Sequence, residues 1–140
     1  MRANRSIPRC TVIPELAYRD VGEARSWLCD AFGFTVRLEI GNHRAQLNVG
    51  DGAVVLTELG QRERHGELDV AHSVMVRVDD ADSHHEHARQ HGARIVRPPT
   101  DYPYGERQYT AVDLGGHYWT FSQSIADVDP TDWGGTPGAL

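Results

Sequence analysis

"PELAYRDVGEARSWLCDAFGF" (residues 14–34) and "VMVRVDDADSHHEHARQHGA" (residues 74–93) superimpose when Asp20 is set on Asp80. Each reads as a short strand, an aspartate at a helix start, about three helical turns and a glycine at the far end. An aspartate at the N-cap accepts hydrogen bonds from the first backbone N–H groups, which have no partner inside the helix. Gly33 and Gly92 stand where a chain leaves a helix through the left-handed region. Working outward, "GDGAVVLTEL" (50–59) matches "LGGHYWTFSQ" (114–123), each a glycine-rich turn feeding a β-branched or aromatic strand. Between helix and last strand, "TVRLEI" and "HRAQLNV" read as strands in the first half, and "RIV" and "ERQYTAVD" fill those places in the second. The expectation is an α+β fold: two tandem βαβββ modules forming a curved mixed sheet with the helices on its convex side. Module one covers about 11–59, a polar linker 60–71, module two about 72–123 and an irregular Pro/Gly/Asp-rich tail 124–140, all within one domain.

Composition narrows the function. A chain of 140 residues, 39% hydrophobic and 24% charged, buries a core without disulfides or a structural metal. No window approaches the roughly eighteen consecutive apolar residues of a membrane span. "MRANRSIPRCTV" is basic but has no apolar stretch of the kind a secretory signal carries, so the expected location is cytoplasmic. Cys10 and Cys29 lack any paired spacing and read as reduced thiols. A net charge of −6 without a basic stripe argues against nucleic acid as a partner. No nucleotide-binding glycine motif or nucleophile elbow is present.

The tandem modules, with "LAYRDVGEARSWLCDAFGF", "GARIV" and the closing "YGERQYTAVDLGGHYWTFSQ", resemble the vicinal oxygen chelate superfamily (glyoxalase I, bleomycin-resistance proteins, extradiol dioxygenases) over roughly residues 11–123. That fold hosts isomerases, lyases, dioxygenases and proteins that only bind drugs, so the resemblance implies the fold rather than one activity. It implies that metal ligands, where they exist, come from the first and last strand of each module. The matching positions here are Ile13, Leu56, Ser73 and Thr120, and "GHYWTF" has threonine where the family's metal enzymes carry glutamate. Two residues further in stand Glu15, Glu58, Met75 and Ser122, two carboxylates without an imidazole and too few oxygens for a hard ion. Neither metal nor cofactor is expected. The resemblance also implies a homodimer, and open strand edges favour self-pairing, with the Trp133 tail reaching across the neighbour.

Side-chain alternation along the strands nominates the cavity. In "HSVMVRVDD" the valines at 74, 76 and 78 cover the helix, leaving Ser73, Met75 and Arg77 facing the concave surface. The same reasoning puts Val12, Leu16 and Tyr18 behind strand one and Ile13, Glu15 and Arg19 in front. In the last strand Trp119 and Phe121 pack behind while Tyr118, Thr120 and Ser122 face in, with Glu58 as a further inward residue. "DYPYGERQY" (101–109) reads as a rim loop whose Tyr102, Tyr104 and Tyr109 stack on a ligand or cap the core. Glu15 is the candidate general base, because a desolvated carboxylate has a raised pKa; the alternative is an ion pair with Arg77 or Arg19. His117, just past the turn glycines, reads as a residue that orients the hairpin.

Five of the eight histidines, His72, His84, His85, His87 and His91, crowd residues 72–91. His72 shares the valines' parity, and His84, Ala88 and His91 follow Ala81 on the helix stripe that faces the sheet, so the cluster reads as structural. His87 and His91 could hold a stray divalent ion, but behind the sheet. Three functions remain: a metal-free binder of a small organic molecule, a drug or metabolite, for which the acidic balance favours cationic or polar aromatic compounds; a lyase, isomerase or dioxygenase with an atypical metal site or Glu15 as base; and a non-catalytic assembly module. The missing ligands favour the first.

Overall fold

A computed structural model describes residues 2–59 and 73–138; the linker at 60–71 and His72 lie outside them. Module one runs β1 (Glu15–Tyr18), α1 (Val21–Phe32), β2 (Thr35–Ile40), β3 (Arg44–Val49) and β4 (Gly52–Glu58). Module two repeats it with β5 (Val74–Arg77), α2 (Ala81–Gln90), β6 (Arg94–Tyr102), β7 (Glu106–Val112) and β8 (Tyr118–Ser124). The strands form two four-stranded mixed sheets, β1-β4-β3-β2 and β5-β8-β7-β6, in which only the β1–β4 and β5–β8 pairs are parallel. The duplicated βαβββ pattern is therefore present, and the aspartates cap both helices: Glu23 N donates to Asp20 Oδ1 at 2.9 Å and Ser83 N to Asp80 Oδ1 at 3.0 Å. Gly33 leaves α1 at φ 80°, while α2 ends on His91 and Gly92 takes the left-handed turn at φ 87°.

The fold departs from expectation between 94 and 109. Strand β6 continues through Pro98 and Pro99 to Tyr102, so the rim loop shrinks to a tight turn at 103–105. Prolines lack the N–H that a ladder needs, and β6 tolerates them because it is an edge strand with two register shifts. The tail is less irregular than expected. Ile125 N donates to Gly105 O at 2.8 Å, and a 3-10 turn at Pro130–Trp133 follows, started by Asp129.

One contiguous core joins both modules, with Leu28, Leu47, Leu56, Trp119 and Phe121 fully buried. Phe32, at the end of α1, packs edge-on against Trp119 and Phe121 of module two, with ring centroids 5.6 and 4.9 Å away. The helices of the two modules lie against each other, and the histidines form the seam. His84 Nε2 donates to Phe32 O at 3.2 Å, His87 Nε2 donates to Asp30 O at 2.9 Å, and the Trp27 indole donates to His91 O at 3.0 Å. A carbonyl can only accept, which assigns the proton to Nε2 of His84 and leaves its Nδ1 to accept from the Tyr109 hydroxyl. Among the described residues no three His, Cys, Asp or Glu side chains gather as a metal site.

A second tie runs from the β7–β8 turn to β1. The buried Asp113 carboxylate accepts four hydrogen bonds: from Gly115 N (2.9 Å) and His117 N (3.0 Å) at Oδ1, and from the Tyr18 hydroxyl (2.6 Å) and Trp119 Nε1 (2.9 Å) at Oδ2. His117 adds a bond from Nε2 to Ala17 O at 2.7 Å, with its ring 4.7 Å from that of Tyr18. Gly115 must be glycine here, since a Cβ would come within 2.5 Å of the Tyr18 ring. Burial and the neighbouring carboxylate push the Tyr18 hydroxyl far above the ordinary phenol range, so it remains a donor at any physiological pH.

Two outcomes follow from these ties. Asp113→Ala strands two buried side-chain donors and is expected to cost about 3 kcal/mol in urea unfolding, with Tyr18→Phe costing about 1 kcal/mol and the two effects strongly non-additive. Additivity within error would mean the bond does not join the modules. His84 supplies a pH dependence, because burial holds its pKa below the ordinary 6.5. As the pH falls through about 6.5 the unfolded chain takes up a proton that folded His84 refuses, so stability drops on acidification. His84→Gln should flatten that decline between pH 7 and 5; an unchanged slope in the variant would assign it to other groups.

Candidate functional site

Alternation on β5 and β8 sets the face of module two that points away from the helices. Met75 pairs with Thr120 and Thr120 with Thr110, while Arg77 pairs with Ser122 and Ser122 with Gln108, giving two rows that cross β5, β8 and β7. Met75 is 62% exposed and Ser73 and Arg77 are exposed beside it, whereas Ser122 and Gln108 are buried. The rows are laced by side-chain bonds. Thr120 Oγ1 lies 3.1 Å from Thr110 Oγ1 and 3.4 Å from Ser73 Oγ, and Gln108 Nε2 donates to Ser122 Oγ at 3.0 Å. Ser122 in turn donates to Glu106 Oε1 at 2.7 Å, and Arg77 donates to Ser124 Oγ at 2.9 Å. Tyr104, from the hairpin tip, donates to Gln108 Oε1 at 3.2 Å, and half-buried Tyr118 shares the face through its pairing with Val112. The result is a hydroxyl- and amide-lined wall with one apolar residue and one guanidinium projecting from it.

Ser73, Met75, Arg77, Tyr118, Thr120 and Ser122 are thus brought together on one face, and Tyr102 and Tyr104 stand at its rim. Tyr109 is not with them. Gln108 and Thr110 occupy the inward positions of β7, so Tyr109 points the other way, fully buried against Phe121 and His84. Reading 101–109 as a loop concealed the alternation that puts it there. Glu58 is a second correction: it pairs with Tyr18, sharing the parity of core residue Leu56, so Val55 and Thr57 face the front of β4 instead. Arg19 lies in the exposed bend after β1 rather than on it, and Val12 precedes β1 and is exposed rather than packed behind it.

Glu15 faces forward as expected, but its side chain is 60% exposed and pairs with Arg44 at 2.9 Å, not with Arg77 or Arg19. The burial that would raise its pKa for proton abstraction is missing. An N-terminal arm covers the rest of module one's front face. Arg37 donates to the carbonyls of Arg5 and Ile7, and Gln46, only 3% exposed, donates to Ser6 O. The sequence carried a signal for Gln46, which alternates with core residues Ala45 and Leu47 and must face front. Nothing local announced that residues 5–7 would lie over it.

The positions at which this fold would present metal ligands can now be read in space. Ile13 and Val55 (replacing Leu56) are aliphatic, and Ser73 and Thr120 contribute two neutral hydroxyls next to each other. This set supplies no carboxylate, imidazole or thiolate and does not fit a divalent ion. Two depressions lie elsewhere: about 410 Å³ inside the N-terminal arm, near Pro8 and Cys10, and about 310 Å³ beside Trp27 and Arg94.

A family model described as the Glyoxalase/Bleomycin resistance protein/Dioxygenase superfamily matches residues 7–121. Among solved structures, TioX from Micromonospora sp. ML1 is similar at 35% identity, covering 86% of this chain and 100% of that one with a TM-score of 0.67. A glyoxalase/bleomycin resistance protein/dioxygenase from Nocardioides is similar at 23% identity over 96% of this chain and 91% of that one, TM-score 0.60. TnmS3 from Streptomyces sp. CB03234, described as an antibiotic binding protein, is similar at 21% identity over 80% of this chain and 93% of that one, TM-score 0.65. No curated protein matches the chain.

Proposed function

The chain belongs to the glyoxalase/bleomycin resistance protein/dioxygenase superfamily, and we propose that within it this protein binds a small organic molecule, a drug or metabolite, without a metal ion. The observation that carries this reading is the front face of module two: a wall of hydroxyls and amides around exposed Met75 and Arg77, with hydroxyls where metal ligands would stand. A few placed polar groups beside an adaptable apolar side chain suit recognition of an organic ligand. The similarity to TnmS3 speaks for the shared fold, and the ligand class is taken from it only as a direction for screening. Glu15, exposed and paired with Arg44, gives no support to an acid–base enzyme. Cys10 and Cys29 are free, which suits a reducing cytoplasm. No helix among the described residues is long and apolar enough to cross a membrane.

A single wall does not enclose a ligand, so we infer that a second copy supplies the other. Strands β1 and β5 are sheet edges, and Val36, Met75 and Val96 are exposed apolar residues of the strands. Covering edges and apolar surface with a second copy removes both liabilities. Light scattering at micromolar concentration should return twice the chain mass of 15.6 kDa; a monomer would refute the paired arrangement.

The binding reading is tested by thermal-shift screening of a compound library, with and without EDTA. Hits should persist in EDTA. Compounds with a carboxylate or carbonyl should bind Arg77→Met less tightly by about 1.5–3 kcal/mol, the worth of a charged hydrogen bond. Hits abolished by EDTA, or equally tight on wild type and Arg77→Met, would remove this face from the function.

A further inference from the structure

Three aromatic rings stand in line at the tip of the β6–β7 hairpin. Tyr102 and Tyr104 are stacked, with centroids 5.4 Å apart and planes within 9°, and Trp133 lies 5.2 Å beyond Tyr104 at 53°. Trp133 is 47% exposed and comes from the tail, beyond the residues that the family model matches. Its position is built. Ile125 and Ala126 donate to Gly105 O at 2.8 and 3.3 Å, and a Cβ on Gly105 would collide with Ala126 O. Asp129 Oδ1 then accepts from Thr131 N at 3.0 Å and starts the 3-10 turn that carries the indole, and Gly134 closes it at φ 96°. A large exposed ring held this way contributes little to the core, and stability does not explain the turn that presents it.

The rings adjoin the front face of module two. Arg97 donates to the Tyr102 hydroxyl at 2.7 Å, and Tyr104 donates to Gln108, where a directional chain begins: Gln108 to Ser122, then Ser122 to Glu106. That chain ends on a carboxylate, which only accepts and has room for further donors.

We propose that Tyr102, Tyr104 and Trp133 form an aromatic shelf that binds the flat face of an aromatic ligand whose edge carries a hydroxyl or amino group for Glu106. The proposal rests on the reading that module two's front face binds a small molecule, and it specifies the class. The rings supply offset-stacked or edge contacts that a saturated compound of the same outline cannot make. The carboxylate supplies the acceptor, and the guanidinium of Arg97 holds the Tyr102 end of the shelf in place.

The test uses the full chain and two probes of one skeleton, 2-naphthol and trans-2-decalol, the first flat and the second puckered. Binding is followed by the indole N–H resonances of the three tryptophans. Those of Trp27 and Trp119, bonded to His91 O and Asp113, act as internal references. Naphthol is expected to shift the Trp133 resonance and to bind about threefold to tenfold more tightly than decalol, a preference that Trp133→Leu or Tyr104→Leu erases. Equal affinities, or no naphthol binding up to its solubility limit, would overturn the shelf. Shifts at Met75 and Thr120 with Trp133 unmoved would overturn it too, yet leave the binding face standing. Shifts confined to Trp133 and Tyr104 would uphold the shelf and sink the front-face reading. A Trp133 resonance that changes with protein dilution alone would hand the ring to a second copy and end the proposal.

Discussion

The rest of the structure hangs on a buried carboxylate that satisfies four donors from two modules. Asp113 turns the β7–β8 hairpin by accepting Gly115 N and His117 N, and the same side chain receives Tyr18 from β1 and Trp119 from β8. An ionised side chain out of water is tolerable only when its lone pairs are occupied, and here they are occupied by groups that the two modules share. Apolar packing alone is indifferent to small rotations of one module against the other. Directional bonds at 2.6 to 3.0 Å are not, and with His117 on Ala17 O they set the angle at which the modules meet.

That angle has a consequence for function. Helix α1 packs on α2, Phe32 fills the space before Trp119 and Phe121, and the histidines bond to the carbonyls at the end of α1. With the helices at the centre, both sheets turn their fronts outward. What looks like a metal-rich stretch in the chain is a hydrogen-bonded helix seam, and the surfaces left for chemistry are the two open sheet faces.

Those faces are unequal. Module one's is closed by its own N-terminal arm, held by Arg37 and Gln46, and its remaining charge is a solvent-screened pair, Glu15 with Arg44. Module two's is open and polar, with its donors and acceptors arranged in a single direction toward Glu106. A duplicated architecture has therefore been specialised by what lies outside the duplication: an arm before it and a tail after it.

The repeated strand–aspartate–helix–glycine pattern was enough to derive two βαβββ modules, because capping and alternation are local physics that hold wherever the segment ends up. Alternation also put Ser73, Met75, Arg77, Thr120 and Ser122 on one face, since parity within a strand survives any tertiary arrangement. It failed for Tyr109 and Glu58, where the strand's limits or its starting phase were misjudged, and a one-residue error in phase moves a side chain through the sheet. Only the tertiary structure decided that Glu15 meets Arg44, that the arm covers Gln46, that Asp113 receives Tyr18 from 95 residues away and that Trp133 falls beside Tyr104. Each of those is a contact between segments whose local preferences are satisfied with or without it. Their partners are chosen by packing and hydrogen-bond satisfaction across the whole chain, which no window of sequence contains.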